Sequence, residues 1–182
     1  MRAGGGQSST SAVMKQGLAK SEQLPRTEKI IRIGVISDTH GLLRDEAIRA
    51  LAGSDFLIHA GDVDSPEILE TLARIAPLTA VRGNVDRGAW AQNIPHTNVL
   101  EAGGVSLYVL HNLQELDLNP NAAGFAAVVY GHSHQPQREV KEGVLYFNPG
   151  SAGPRRFKLP ISVGRITVGG GKVRAEIVKI VE

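Results

Sequence analysis

The chain of 182 residues contains no cysteine. That absence excludes disulfides, zinc–thiolate sites and cysteine nucleophiles together, so any metal must be held by His, Asp, Glu, Asn or backbone oxygen. Long apolar runs are missing too: no stretch approaches the roughly 20 residues of a membrane span. The N-terminus also lacks the compact apolar segment of a secretory signal. The expectation is a cytoplasmic protein with no membrane partner. Strong basicity is missing from the body of the chain. Five Lys/Arg (Arg2, Lys15, Lys20, Arg26, Lys29) against two acids (Glu22, Glu28) give the first 29 residues +3, whereas the whole chain sums to +2. The remainder is near neutral, so nucleic acid is not the expected partner.

What is present divides in two. Residues 1–29 are rich in Gly, Ser and polar side chains without a sustained period, which reads as a flexible polar extension. A domain is expected over residues 30–182 and can bury a core. It begins with "IIRIGVISDTHG", a β-rich run ending in polar residues. "LLRDEAIRALAG" repeats at helical spacing and stops at Gly53. "DFLIHAGD" is a second short strand. "DSPEILETLARIA" reads as a helix, with Ser65 as cap, Pro66 in the first turn, and Ile68, Leu69, Leu72 and Ile75 on one face. "PLTAVRGN" is a third strand. The β-α-β-α-β order predicts parallel strands with crossover helices, an α/β start. After Asn98, "VLEAGGVSLYVLHN" and the C-terminal "ISVGRITVGGGKVRAEIVKIV" read as hairpins, and "FAAVVYGHSH" as a buried strand followed by "REVKEGVLYFNPGS", so the second half is expected to be mostly antiparallel.

Polar residues collect where the apolar runs stop. The first strand delivers Asp38 and His40, the second Asp62, the third Asn84, the hairpin His111, and the run through Tyr130 His132 and His134. Ligand sites in α/β sheets lie beyond the carboxyl ends of the strands. A lone Asp there is ordinarily a turn former, and a lone His a solvated residue. The Asp-x-His and His-x-His pairs change that reading. On an extended backbone, alternate residues share a side and can reach one metal region. Glycines 41, 61, 83 and 131 suit close backbone approach or unusual dihedrals around such a site.

The pieces "SDTHG", "HAGDV", "RGNVD", "LHN" and "YGHSH" occur in the order of the calcineurin-like metallophosphoesterase family, which the chain resembles from Ile31 to the C-terminus. The compact length and "FNPGS" resemble its small prokaryotic phosphodiesterase subgroup. The resemblance implies a four-layer β-sandwich of two mixed sheets flanked by helices. It implies Asp38, His40 and His134 on a first metal, Asn84, His111 and His132 on a second, and Asp62 bridging both. Imidazole and hard oxygen suit two divalent ions, Mn²⁺ first, with Ni²⁺, Fe²⁺ or Zn²⁺ as alternatives. The implied activity is in-line hydrolysis of a small phosphodiester by a metal-bridging hydroxide, with Asp62, Asn84 and His132 as catalytic residues.

The residue after Asn84 is Val85, where many family members have a proton-donating His. Diesters with good leaving groups are therefore expected over alkyl monoesters, unless another group such as His59 supplies the proton. Asp86 is expected to orient a neighbouring ligand. Ser151 and Arg155, with Arg156, are candidate substrate contacts in "NPGSAGPRRF". Arg82 has no assigned part, and His96 is read as a loop residue without a role. Two rivals stand beside this reading. One is a binding scaffold acting in protein assembly, as a eukaryotic retromer subunit of the same fold does. The other is a mononuclear hydrolase, which leaves Asn84 and Asp62 without work. Hairpin edges leave a homo-oligomer open.

Overall fold

A computed structural model describes residues 29–181, so all but Lys29 of the polar extension lies outside the described residues. Strands β1 (Ile31–Ile36), β2 (Phe56–His59) and β3 (Leu78–Ala80) run parallel. Helices α1 (Asp45–Leu51) and α2 (Pro66–Ala73) make the crossovers. In α2, Pro66 occupies the first turn and Ile68 and Leu72 are buried against the sheet. Ser65 sits at the N-cap position but does not cap: its hydroxyl donates to the Glu67 carboxylate instead.

The rest of the chain adds β4 (Thr97–Ala102), β5 (Val105–Leu110), β6 (Ala127–Val129), β7 (Gln137–Lys141), β8 (Val144–Asn148), β9 (Ile161–Gly169) and β10 (Lys172–Val181). The two expected hairpins form at β4–β5 and β9–β10, and a third joins β7 to β8. Their turns, Gly103–Gly104, Glu142–Gly143 and Gly170–Gly171, place both residues at positive φ. That is the turn geometry whose twist matches the flanking strands. The result is two five-stranded sheets, β10-β9-β1-β2-β3 and β4-β5-β6-β8-β7. The expectation of a mostly antiparallel second half is corrected at its centre, because β6 pairs parallel with both β5 and β8. The cause is residues 111–126, which cross back over the sheet so that β6 repeats the direction of β5.

The two sheets pack face to face. Ile33, Val35 and Ile58 from one meet Leu107, Val109, Val129 and Phe147 from the other. Outside the first sheet, α1 and α2 contribute Leu51, Ile68 and Leu72 to a second cluster with Ile36 and Leu57. Outside the second sheet, Tyr108, Leu110, Val128 and Tyr130 are covered by Leu113, Leu116, Leu118 and Phe125. That cover is irregular chain with one 3₁₀ turn (Leu113–Glu115), so among the described residues both α-helices lie on the first sheet. The parallel strands β1, β2, β3, β5 and β6 all end at one edge of the sandwich. Backbone hydrogen bonds knit their exits together: Asp38 N–H to Gly61 O at 3.0 Å, His40 N–H to Asp62 O at 3.0 Å and Gly131 N–H to His111 O at 2.9 Å.

Candidate metal centre

All seven expected ligands meet at this edge. His134 Nε2 lies 3.2 Å from Asp38 Oδ1 and 3.2 Å from His40 Nε2. His40 Nε2 is 3.8 Å from Asp62 Oδ2, which is 3.3 Å from His111 Nε2. Asn84 Oδ1 then lies 3.1 Å from His111 Nε2 and 3.1 Å from His132 Nδ1. The donor atoms form one unbroken run, with Asp62 Oδ2 in the middle and facing both ends. Its other oxygen accepts the Val85 N–H at 3.1 Å.

The convergence does not arise from strand alternation. β1 stops at Ile36 and β6 at Val129, short of the Asp-x-His and His-x-His pairs. Asp38 (φ 54°), His40 (46°), Asp62 (56°), His132 (67°) and His134 (57°) are instead left-handed. Alternate left-handed residues curl the loop so that both members of each pair turn inward. Few non-glycine residues adopt this conformation, and clusters of them mark sites where the surroundings impose it. Three glycines make room, Gly61 among them, where a Cβ would collide with His111. A Cβ on Gly83 would collide with Asp62, and one on Gly131 with Ser37 Oγ.

The donor set fits a cation. Asp38 is fully buried, yet its Oδ1 has no aligned hydrogen-bond donor, while Oδ2 takes Ser37 Oγ–H at 2.7 Å and the His132 N–H at 3.2 Å. A buried carboxylate oxygen that takes no aligned donor and faces two imidazole nitrogens is suited to holding a cation with them. Asp38, His40 and His134 form one group of potential ligands, and Asp38, Asp62 and His111 another, their donor atoms within 4.8 Å of one another. Burial pushes the His111 imidazole down, but the hydrogen bond and charge of Asp62 outweigh it and its pKa is raised. Burial pushes the Asp62 carboxyl up, but the hydrogen bond and charge of His111, with the Val85 N–H and His40, hold it low. His40 is lowered, burial prevailing over the pull of Asp62 and Asp38.

The neighbouring residues have specific jobs. Asp86 orients backbone and not a ligand side chain: it accepts the N–H groups of Val63 (2.8 Å), Asp64 (2.7 Å) and Gly83 (2.7 Å), which flank Asp62 and Asn84. His59 points into the protein, fully buried. Its Nδ1 accepts the Gly61 N–H at 3.2 Å and its Nε2 lies 3.0 Å from Thr39 Oγ1. Burial lowers its pKa to about 4. Ser151 donates its hydroxyl to Asp38 O at 2.9 Å. Arg155 is exposed, and Arg156 Nη2 lies 3.4 Å from His40 Nε2. Arg82 and His96 face each other, closing the loop that carries Asn84. Ser37 and Thr39 have no assigned part in the sequence reading, and Asn148 figures there only as the start of a tight turn near the site. Asn148 donates Nδ2–H to Gly131 O at 2.7 Å, immediately before His132. Its place where the apolar run "VLYF" stops was the available signal.

Residues 31–171 match the family model described as the calcineurin-like phosphoesterase superfamily domain. A probable metallophosphoesterase of Methanothermobacter thermautotrophicus is 31% identical over 159 residues, covering 81% of this chain and 91% of that protein. The phosphodiesterase YfcE of Escherichia coli is 28% identical over 167 residues, covering 75% of this chain and 88% of YfcE. Vacuolar protein sorting 29 of Cryptosporidium parvum shares the fold, with a TM-score of 0.67 at 19% identity over 81% of this chain and 96% of its own. With a family model spanning most of its length and this set of strand-end side chains, the chain belongs to the calcineurin-like phosphoesterase superfamily.

Proposed function

We propose that the protein is a dimetal phosphodiesterase acting on small diesters. One observation carries the reading: seven imidazole, carboxylate and amide donors run unbroken from His134 to His132, with Asp62 Oδ2 between the two ends. Asp38, His40 and His134 would hold one cation, and Asn84, His111 and His132 the other, with Asp62 shared. Two divalent ions there would supply the charge that acidifies a water and stabilises the phosphoryl oxygens. Mn²⁺ suits the donor set, as do Ni²⁺, Fe²⁺ and Zn²⁺.

The chain's own residues shape the rest. Val85 presents only its N–H, to Asp62 Oδ1, and has no side-chain proton to give. His59 does not fill that gap. It is buried, neutral above about pH 4 and directed at Thr39. The leaving group must therefore depart with little protonation, which favours aryl and similarly acidic diesters over alkyl monoesters. Ser151 supports the backbone of Asp38. The relative named a phosphodiesterase, YfcE, supports the diester preference.

The test is hydrolysis of an aryl phosphodiester by metal-reconstituted protein carrying about two ions per chain. Asp62→Asn and His132→Ala should each lose at least about 10²–10³-fold in kcat. Near-normal turnover by either, or a strong preference for an alkyl monoester, contradicts the proposal. The second reading, a scaffold of the same fold, draws on the fold likeness to vacuolar protein sorting 29. It requires that the wild-type protein bind little metal and turn over no diester.

A further inference from the structure

After the Asn-Pro-Gly-Ser turn, Arg155, Arg156, Phe157 and Lys158 follow one another, all exposed. The segment is fixed at both ends. Gly153 donates its N–H to Asp38 O at 3.2 Å, Arg44 Nη2 donates to Gly153 O at 3.3 Å, and Ser151 pairs with Ile161 in an isolated bridge. Between these anchors the Leu159 N–H donates to Arg156 O at 3.1 Å, closing a tight turn whose second residue is Phe157. Phe157 has φ 53°, a value such turns ordinarily give to glycine at that position. It is 93% exposed, and the next large apolar side chain among the described residues is Val140 at 66%.

Neither burial nor backbone preference accounts for a phenylalanine there. Its neighbour indicates what the turn faces. Arg156 Nη2 lies 3.4 Å from His40 Nε2, so the turn reaches the metal centre and carries an aromatic ring one residue away. A guanidinium at that place suits an anionic phosphate oxygen. An exposed ring on the next residue suits the flat face of a base. Building on the phosphodiesterase reading, we propose that residues 154–158 form a recognition lip selecting phosphodiesters that carry a nucleobase. Arg156 takes a phosphate oxygen and Phe157 stacks on the base. The shared chemistry is a nucleoside phosphodiester, whether a small molecule or the end of a single strand.

The experiment uses full-length, metal-reconstituted wild type, Phe157→Ala and Phe157→Trp. It compares kcat/KM for a cyclic mononucleotide and a short single-stranded oligonucleotide with that for a glycerophosphodiester lacking a ring. The ratio of nucleobase to ring-free substrate should fall about tenfold in Phe157→Ala, through KM, and return in Phe157→Trp. A fall confined to one nucleobase substrate supports the lip and identifies its source. A ratio unmoved for both overturns it. In parallel, equilibrium dialysis measures adenosine monophosphate against inorganic phosphate. Wild type should prefer the nucleotide and Phe157→Ala should lose that preference. If no diester is turned over but this preference holds, the diesterase reading fails and the lip stands. If diesters are turned over without base preference, the lip fails and the diesterase reading stands. A Phe157-dependent dimer in sedimentation assigns the ring to an interface and also overturns the lip.

Discussion

Asp38, His40, Asp62, His132 and His134 hold left-handed backbones, each at a cost of roughly 1–2 kcal/mol for a residue bearing a Cβ. Their side chains are the proposed ligands, so glycine would relieve the strain only by removing one of them. His132 allows the two effects to be separated, because it is exposed and its replacement leaves no cavity. His132→Gly and His132→Ala should both abolish turnover. In metal-free protein, however, the glycine variant should be more stable by about 1 kcal/mol. Equal denaturant midpoints for the two would mean the left-handed conformation is not a source of strain. His59 carries a separate signature. Its folded pKa of about 4 lies below the ordinary 6.5, so the folded state resists its protonation. This contribution is fully present above pH 6.5 and is lost as the pH falls toward 4. The total is on the order of 3 kcal/mol, at 1.36 kcal/mol per pKa unit. His59→Gln should flatten the stability profile between pH 6.5 and 4.5, in chelator. A wild-type slope that survives the substitution would show that other groups produce it.

Loops, more than strands, do the positioning at the scale of elements. The β2 exit carrying Asp62 and the β3 exit carrying Asn84 are tied by Asp86, which accepts three N–H groups across the two. Asp86→Ala leaves those donors without an acceptor in a buried place. A loss of about 3 kcal/mol in stability and about 10–100-fold in metal affinity is expected from urea unfolding and metal titration. A variant with wild-type affinity would show that Asp86 does not position the metal-binding side chains. The exits themselves were legible in the sequence, because short β-rich runs ending in Gly-Asp, Gly-Asn or Gly-His announce where buried backbone surfaces. Their conformation was not. An Asp-x-His pair reads as extended chain, and the left-handed curl is held by long-range hydrogen bonds, among them those from Asp38 and His40 to Gly61 and Asp62. The direction of β6 was hidden for a similar reason. Val128 and Val129 are strand formers in either direction, and the crossover at 111–126 decides. Ser65 looked like a cap, but Glu67 two residues on captures its hydroxyl. Which partner a serine takes depends on a side-chain position that no periodicity encodes.

Across the whole molecule, the sandwich brings the carboxyl ends of the parallel strands of both sheets to one edge, and thereby concentrates negative charge there. Asp38 is fully buried and Asp62 is 3% exposed, while Asp38 Oδ1 has no aligned donor. The raised pKa of His111 answers part of that charge, through Asp62. The remainder calls for cations, so metal binding and folding stability are linked. At a metal concentration about 100 times Kd the linkage is worth about 2.7 kcal/mol. For a chain of this size that corresponds to a rise of roughly 5–10 °C in Tm. Chelation should therefore lower Tm by that amount at pH 7.5. Asp62→Asn removes the charge that the proposal shares between two cations, so its gap between loaded and chelated forms should be smaller. The wild-type gap should also shrink as the pH falls below about 6, where protons compete with metal for the imidazoles. Calorimetry of both proteins, with metal and with chelator, reads all three effects. Superimposable wild-type curves with and without millimolar Mn²⁺ would show that these seven side chains meet without forming a metal centre.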